Sequence, residues 1–156
     1  MALTELPAGI TSIGQWAFRD CPNIALTELP SEITKIDTYV FYGCTNLALT
    51  KLPSNINSIS TYAFCVCKML SRLDTVSTKL TTIGSGAFQE CLQLSELIFR
   101  RTTPPTISSN TFNSTPISKG TGIIYVPDES VSAYQTKTNW TTYASQIKGI
   151  SELPTE

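Results

Sequence analysis

ALTELPSEITKIDTYVFYGCTNL, residues 25–47, is the unit that the rest of the chain copies. ALTELPAGITSIGQWAFRDCPNI (2–24) precedes it in register and ALTKLPSNINSISTYAFCVCKML (48–70) follows it, so the period is 23 residues. A fourth copy, SRLDTVSTKLTTIGSGAFQECLQL (71–94), carries one extra residue near its start, and a degraded fifth passes through Ile107 and Phe112. Phe18, Phe41, Phe64, Phe88 and Phe112 mark every copy. A fixed period of this size signals a solenoid, in which one coil cannot bury its apolar face until a neighbour stacks on it.

At 156 residues, 41% hydrophobic and 15% charged, the chain supports one domain with a continuous core. Eleven basic and twelve acidic residues leave a net charge of −1, which gives no field for nucleic acid or an anionic membrane. No apolar run is long enough to insert in a bilayer, and no basic leader opens the sequence. Histidine is absent, which removes Ser/His/Asp and Cys/His catalysis and histidine-ligated zinc. The residues supply no catalytic, cofactor-binding or metal-binding candidate, and the oligomeric state is open.

The expected fold is a repeat solenoid over residues 1–118, about five coils with the last degenerate, closed by a capping segment at 119–156. Met1 stands where Ile24 and Leu47 end later copies, so the first coil begins in mid-array. Either the chain is the later part of a longer array, or a dimer covers its first edge. Within each copy, the segment ending in Leu-Pro, such as Leu26–Leu29, reads as an extended strand stopped by Pro7, Pro30 or Pro53. The spacing of Leu26 and Leu29 departs from alternation and implies irregular pairing, whereas Leu97 and Phe99 alternate. A second short strand is expected over Ile10–Ile13, Ile33–Ile36, Ile56–Ile59 and Leu80–Ile83. Ala17-Phe18 and its equivalents are expected on a single helical turn that drops each ring into the coil centre.

Cys21, Cys44, Cys67 and Cys91 each follow their phenylalanine by three residues, a spacing that makes an inward ladder of free core thiols. Cys65 falls where Arg19, Tyr42 and Gln89 sit and is expected to point outward. Past the Pro-Pro pair at 104–105 the pattern frays. Ile123–Pro127 then reads as a last strand, ESVSAYQ as a short helix begun by Asp128 or Ser130, and NWTTYASQIKGI as a second helix stopped by Gly149. Trp140 and Tyr143 are expected to cover the last coil.

Stacking aligns equivalent outward residues into columns. Thr4, Thr27, Thr50 and Asp74 form one, and Glu5, Glu28, Lys51 and Thr75 the next, which together offer a polar face for a protein partner. Trp16, Tyr39 and Tyr62, ending at Gly86, form an aromatic column with Tyr42 beside it; it is either a strip for protein or sugar, or rings that bury one another.

The run C-x-x-L-x(4)-L-P-x-x-I-x-x-I-x-x-x-A-F-x-x-C, from Cys21 to Cys44 and again to Cys67, resembles the BspA-like, or Treponema-type, leucine-rich repeat family. The tail IYVP, SVSAY, W and YA resembles the C-terminal segment of surface proteins of that family from gut bacteria. The resemblance implies a leucine-rich-repeat solenoid, a right-handed α/β superhelix with short parallel strands and one helical turn per coil. It also implies a secreted or cell-surface bacterial protein that adheres to host proteins or other cells.

Two function classes follow. The first is a non-enzymatic adhesion module with a protein partner, or a glycan. The second is a polysaccharide-acting β-helix enzyme, which needs converging carboxylates; Glu5 and Glu28 on adjacent coils are the sole pair offered, and Lys51 follows them. A spacer without a ligand is a third, purely structural reading.

Overall fold

The computed structural model describes residues 1–155. Its strands are short: β1 (Lys35–Ile36), β2 (Ser58–Ile59), β3 (Arg72–Asp74), β4 (Thr82–Ile83), β5 (Glu96–Ile98), β6 (Ile123–Val126) and β7 (Ile147–Gly149). All pair in parallel. One sheet runs β1-β2-β4, with Ile36, Ile59 and Ile83 in register, and the other β3-β5-β6-β7, with Leu73, Leu97, Ile124 and Ile147 in register. Both columns are buried, so each coil closes the apolar face of the one before it.

The phenylalanines carry the centre of the stack. Phe18, Phe41, Phe64, Phe88 and Phe112 lie ring on ring, with centroids 5.6, 5.6, 5.4 and 5.8 Å apart and planes within 15°. All but Phe18 are fully buried.

The corner that holds these rings is not the expected helical turn. A helix would commit every N–H to its own coil. Here the donors alternate. Ala17, Arg19 and Cys21 donate to carbonyls three residues back, whereas Trp16, Phe18 and Asp20 donate to Thr38, Val40 and Tyr42 of the next coil, at 3.2, 3.0 and 2.7 Å. The same pattern recurs from Tyr39, Phe41 and Gly43 onto Thr61, Ala63 and Cys65. Left-handed residues two before and two after each of the first four phenylalanines make this possible: Trp16 and Asp20, Tyr39 and Gly43, Tyr62 and Val66, Gly86 and Glu90.

The Leu-Pro strands are also corrected. Leu26–Leu29 forms no strand, and in the first coils only bridges remain, Leu3 with Ile24 and Lys51 with Asp74. Leu26 and Leu29 are both buried, and two inward side chains three residues apart do not fit a pleat of period two. The second strand survives as two residues per coil in β1, β2 and β4, and Ile10–Ile13 has none.

The thiol ladder does more than fill space. Cys44, Cys67 and Cys91 donate their S–H to the carbonyls of Phe18, Phe41 and Phe64 of the preceding coil, at 3.0, 3.1 and 3.0 Å. Cys65 is not outward: it is 3% exposed, a small side chain in a column whose other members, Arg19, Tyr42 and Gln89, are all larger. Burial pushes the Cys44 thiol up to about 12 and Cys65 to about 11, and it raises Cys67 and Cys91 as well. A thiol reagent should therefore label Cys21 alone in the folded chain, the other four being buried, and all five after unfolding. Fast native labelling of Cys65 would contradict its position. Since these folded values lie above an unfolded thiol's ~8.5, stability is complete below that pH and falls as pH climbs toward 11. A urea midpoint at pH 10 no lower than at pH 7.5 would refute this.

Past the coils, β6 forms as expected. A 3-10 turn at Asp128–Ser130 leads into α1 (Val131–Thr136), with no side-chain cap from either residue. Asp128 Oδ1 instead accepts the Ser151 N–H at 3.1 Å. The second expected helix is a 3-10 segment, Thr141–Gln146, followed by β7. Gly149 is extended within β7, where a Cβ would strike the Asp128 carboxylate, and it stops no helix. Trp140 and Tyr143 lie against Phe112, with centroids at 6.2 and 5.5 Å.

Candidate functional site

The outward columns of the Leu-Pro side are displaced from their expected register. Thr4, Thr27 and Thr50 are exposed, as are Glu5, Glu28 and Lys51. Asp74, however, pairs with Lys51 and not with Thr50, and Thr75 is 1% exposed, with its Oγ1 donating to the Ile98 carbonyl. The extra residue of the fourth copy thus falls after Asp74: Val76 bulges outward at φ 32, and the Ser77 hydroxyl reaches back to Ile56. Thr75 is therefore removed from any binding surface, and Asp74 joins the charged column.

From Glu28 onward the charges on this side are paired. Lys51 Nζ lies 3.7 Å from Glu28, Arg100 holds Asp74 through Nη2 and Nε at 2.5 and 3.2 Å, and Arg72 meets Glu96 at 3.5 Å. Two shallow furrows adjoin it. One, about 250 Å³, is bounded by Glu28, Leu29, Lys51, Leu52 and Val76, and the other, about 340 Å³, by Glu5, Leu6, Glu28 and Pro30. Glu5 and Glu28 share the second, but Glu28 faces a lysine rather than a partner acid. Among the described residues no group of three or more Cys, Asp or Glu could hold a metal ion.

On another side of the coils, Trp16, Tyr39 and Tyr62 stack at 4.4 and 5.2 Å, and Tyr62 lies flat on Gly86, where a Cβ would fall 2.2 Å from the ring. Both faces of Tyr39 are covered. Sugars bind aromatic strips through ring faces, so this column offers ring edges and hydroxyls, plus one bare indole, Trp16, at 46% exposure. Tyr42 leans on Tyr39 at 5.5 Å. Its hydroxyl is pushed upward first by the Cys65 thiol, then by burial and by Asp20 and Glu90, with Arg19 acting the other way. The left-handed backbone costs each of Trp16, Tyr39 and Tyr62 about 1 kcal/mol, and a stacked pair returns about the same.

Sequence reading passed over Arg19. Its guanidinium carbon sits 4.8 Å from the Trp16 ring centre, 5.3 Å from Tyr42 and 5.7 Å from Tyr39, with Nε on Asp20 at 3.2 Å. The signal was present in WAFRD, a cation three residues after an outward aromatic, but it occurs in one copy only.

A family model for the BspA type leucine rich repeat region matches residues 2–121 in six copies. No curated protein matches the chain.

Proposed function

The chain belongs to the BspA-type leucine-rich repeat family, and from that premise we propose that it is a non-enzymatic protein-interaction module of a secreted or surface-attached adhesin. The observation that carries this reading is the outer surface itself: exposed columns from successive coils, held by a continuous core and with their charges paired across coils. Such a surface suits a broad interface built from many weak contacts. Thr4, Glu5, Thr27, Glu28, Thr50, Lys51 and Asp74 form one candidate face, and Trp16, Tyr39, Tyr42 and Tyr62 another. The covered ring faces favour a protein over a glycan at the second. A polysaccharide-cleaving role is disfavoured because Glu28 pairs with Lys51, where a general acid and base would need to converge on one bond. No helix among the described residues is long and apolar enough to cross a membrane.

The immobilised chain, offered a panel of extracellular-matrix proteins and glycans, is expected to retain at least one protein. Silence across the panel would leave a spacer as the better reading. Turnover of a uronic-acid polymer, lost in Glu28→Gln, would establish the enzyme instead.

A further inference from the structure

We propose that Arg19, held on the rings of Trp16, Tyr39 and Tyr42, is the anchor by which the chain grips one carboxylate side chain, an aspartate or glutamate, of its protein partner. This rests on the interaction reading above and adds the partner's chemistry to it.

The cluster is a single departure from an otherwise regular array. Its two columns read Trp16, Tyr39, Tyr62, Gly86 and Arg19, Tyr42, Cys65, Gln89, so a cation surrounded by aromatic rings exists only where the first two coils meet. Coil stacking does not require it. Glycine fills the same left-handed position in the fourth coil, and the ring stacking in the first three no more than offsets their backbone cost.

Geometry names the ligand. The rings hold the guanidinium in place, and Asp20 takes its Nε edge. Among the described residues nothing accepts from Nη1 or Nη2, and the side chain is 44% exposed. A planar fork fixed in advance and open at one end matches the two oxygens of a carboxylate, and little side-chain freedom is lost on binding. Tryptophan, tyrosine and arginine are also the residues on which interface energy concentrates. Asp20, already on the Nε edge, repels further negative charge. The cluster therefore selects a lone carboxylate flanked by apolar residues that cover the Trp16 indole, and it rejects an acidic run.

The test is selection of a displayed library of random dodecapeptides on the full chain, followed by binding measurements with the recovered consensus peptide. Recovered peptides are expected to carry a single Asp or Glu beside aromatic or aliphatic residues. Arg19→Gln is expected to weaken the consensus peptide about thirtyfold, and Arg19→Lys, which keeps the charge and loses the fork, about tenfold. Lys148→Gln, on the distant β7, is expected to leave binding unchanged. Arg19 is half-exposed, so both variants should keep the wild-type circular dichroism. A consensus without a carboxylate, one with an acidic run, retention of an acidic glycan in place of peptides, or equal affinity in Arg19→Gln would each overturn the proposal while leaving the interaction reading standing. Failure of both the library and the protein panel would remove the two together.

Discussion

Phe41→Ala is expected to destabilise the chain by about 3–5 kcal/mol, a fall of about 10 °C or more in Tm. Phe41 is fully buried, with Phe18 and Phe64 both 5.6 Å away on its two sides, so neither neighbour can collapse into the space without leaving its own coil. The carbonyl of Phe41 also accepts the Cys67 thiol, and its N–H donates to Ala63. A cavity there loosens the corner of three coils at once. Phe18→Ala removes the same ring from a half-buried position with one stacked neighbour, and about half the loss is expected. Equal losses in the two variants would mean that the rings do not act as a continuous spine.

Trp140→Ala is the second large effect, also about 3–5 kcal/mol. Trp140 is fully buried, edge-on to Phe99 and Tyr134 at 5.3 and 5.0 Å, and its indole N–H donates to the Pro105 carbonyl at 2.7 Å. Removing it uncovers Phe99 and Phe112 and leaves a buried carbonyl without its donor. Fluorescence supplies a direct reading. The remaining tryptophan, Trp16, is 46% exposed, so emission from the folded variant should shift to the red of wild type. A variant as stable as wild type would show that the terminal segment does not seal the last coil.

The parts of the fold that were legible in the sequence are those locked to the period. Phenylalanine and cysteine recur at fixed intervals because each ring must meet the ring, and each thiol the phenylalanine carbonyl, of a neighbouring coil, and the rings and thiols stand where that spacing places them. Backbone conformation was less legible. A-F-x-x-C looks helical because the local bonds from i+3 to i do exist, yet the intervening donors cross to the next coil. Gly43 and Gly86, at the left-handed positions either side of the phenylalanine, were the available clue. Periodicity places the inserted residue at the start of the copy, where Leu49 matches Leu73 and Leu52 matches Val76; pairing places it after Asp74, so that Asp74 faces Lys51 and Thr75 goes inside. The column of Cys65 reads as outward from its larger members, whereas the small cysteine side chain is 3% exposed. The aromatic column was legible as a column. Which of its two meanings holds, open faces or covered ones, depends on ring spacing, and Arg19, present beside Trp16 in WAFRD, gains Tyr39 and Tyr42 only through contacts with the next coil.

Scalar couplings measured across hydrogen bonds by NMR probe the stacked corner most directly. A coupling between the amide nitrogen of Phe41 and the carbonyl carbon of Ala63, and between Phe64 and Ala87, is expected, alongside local couplings from Tyr42 to Tyr39 and from Cys65 to Tyr62. Couplings from Phe41 and Phe64 to carbonyls within their own coils would mean a helical turn at the corner, with no ladder joining the coils.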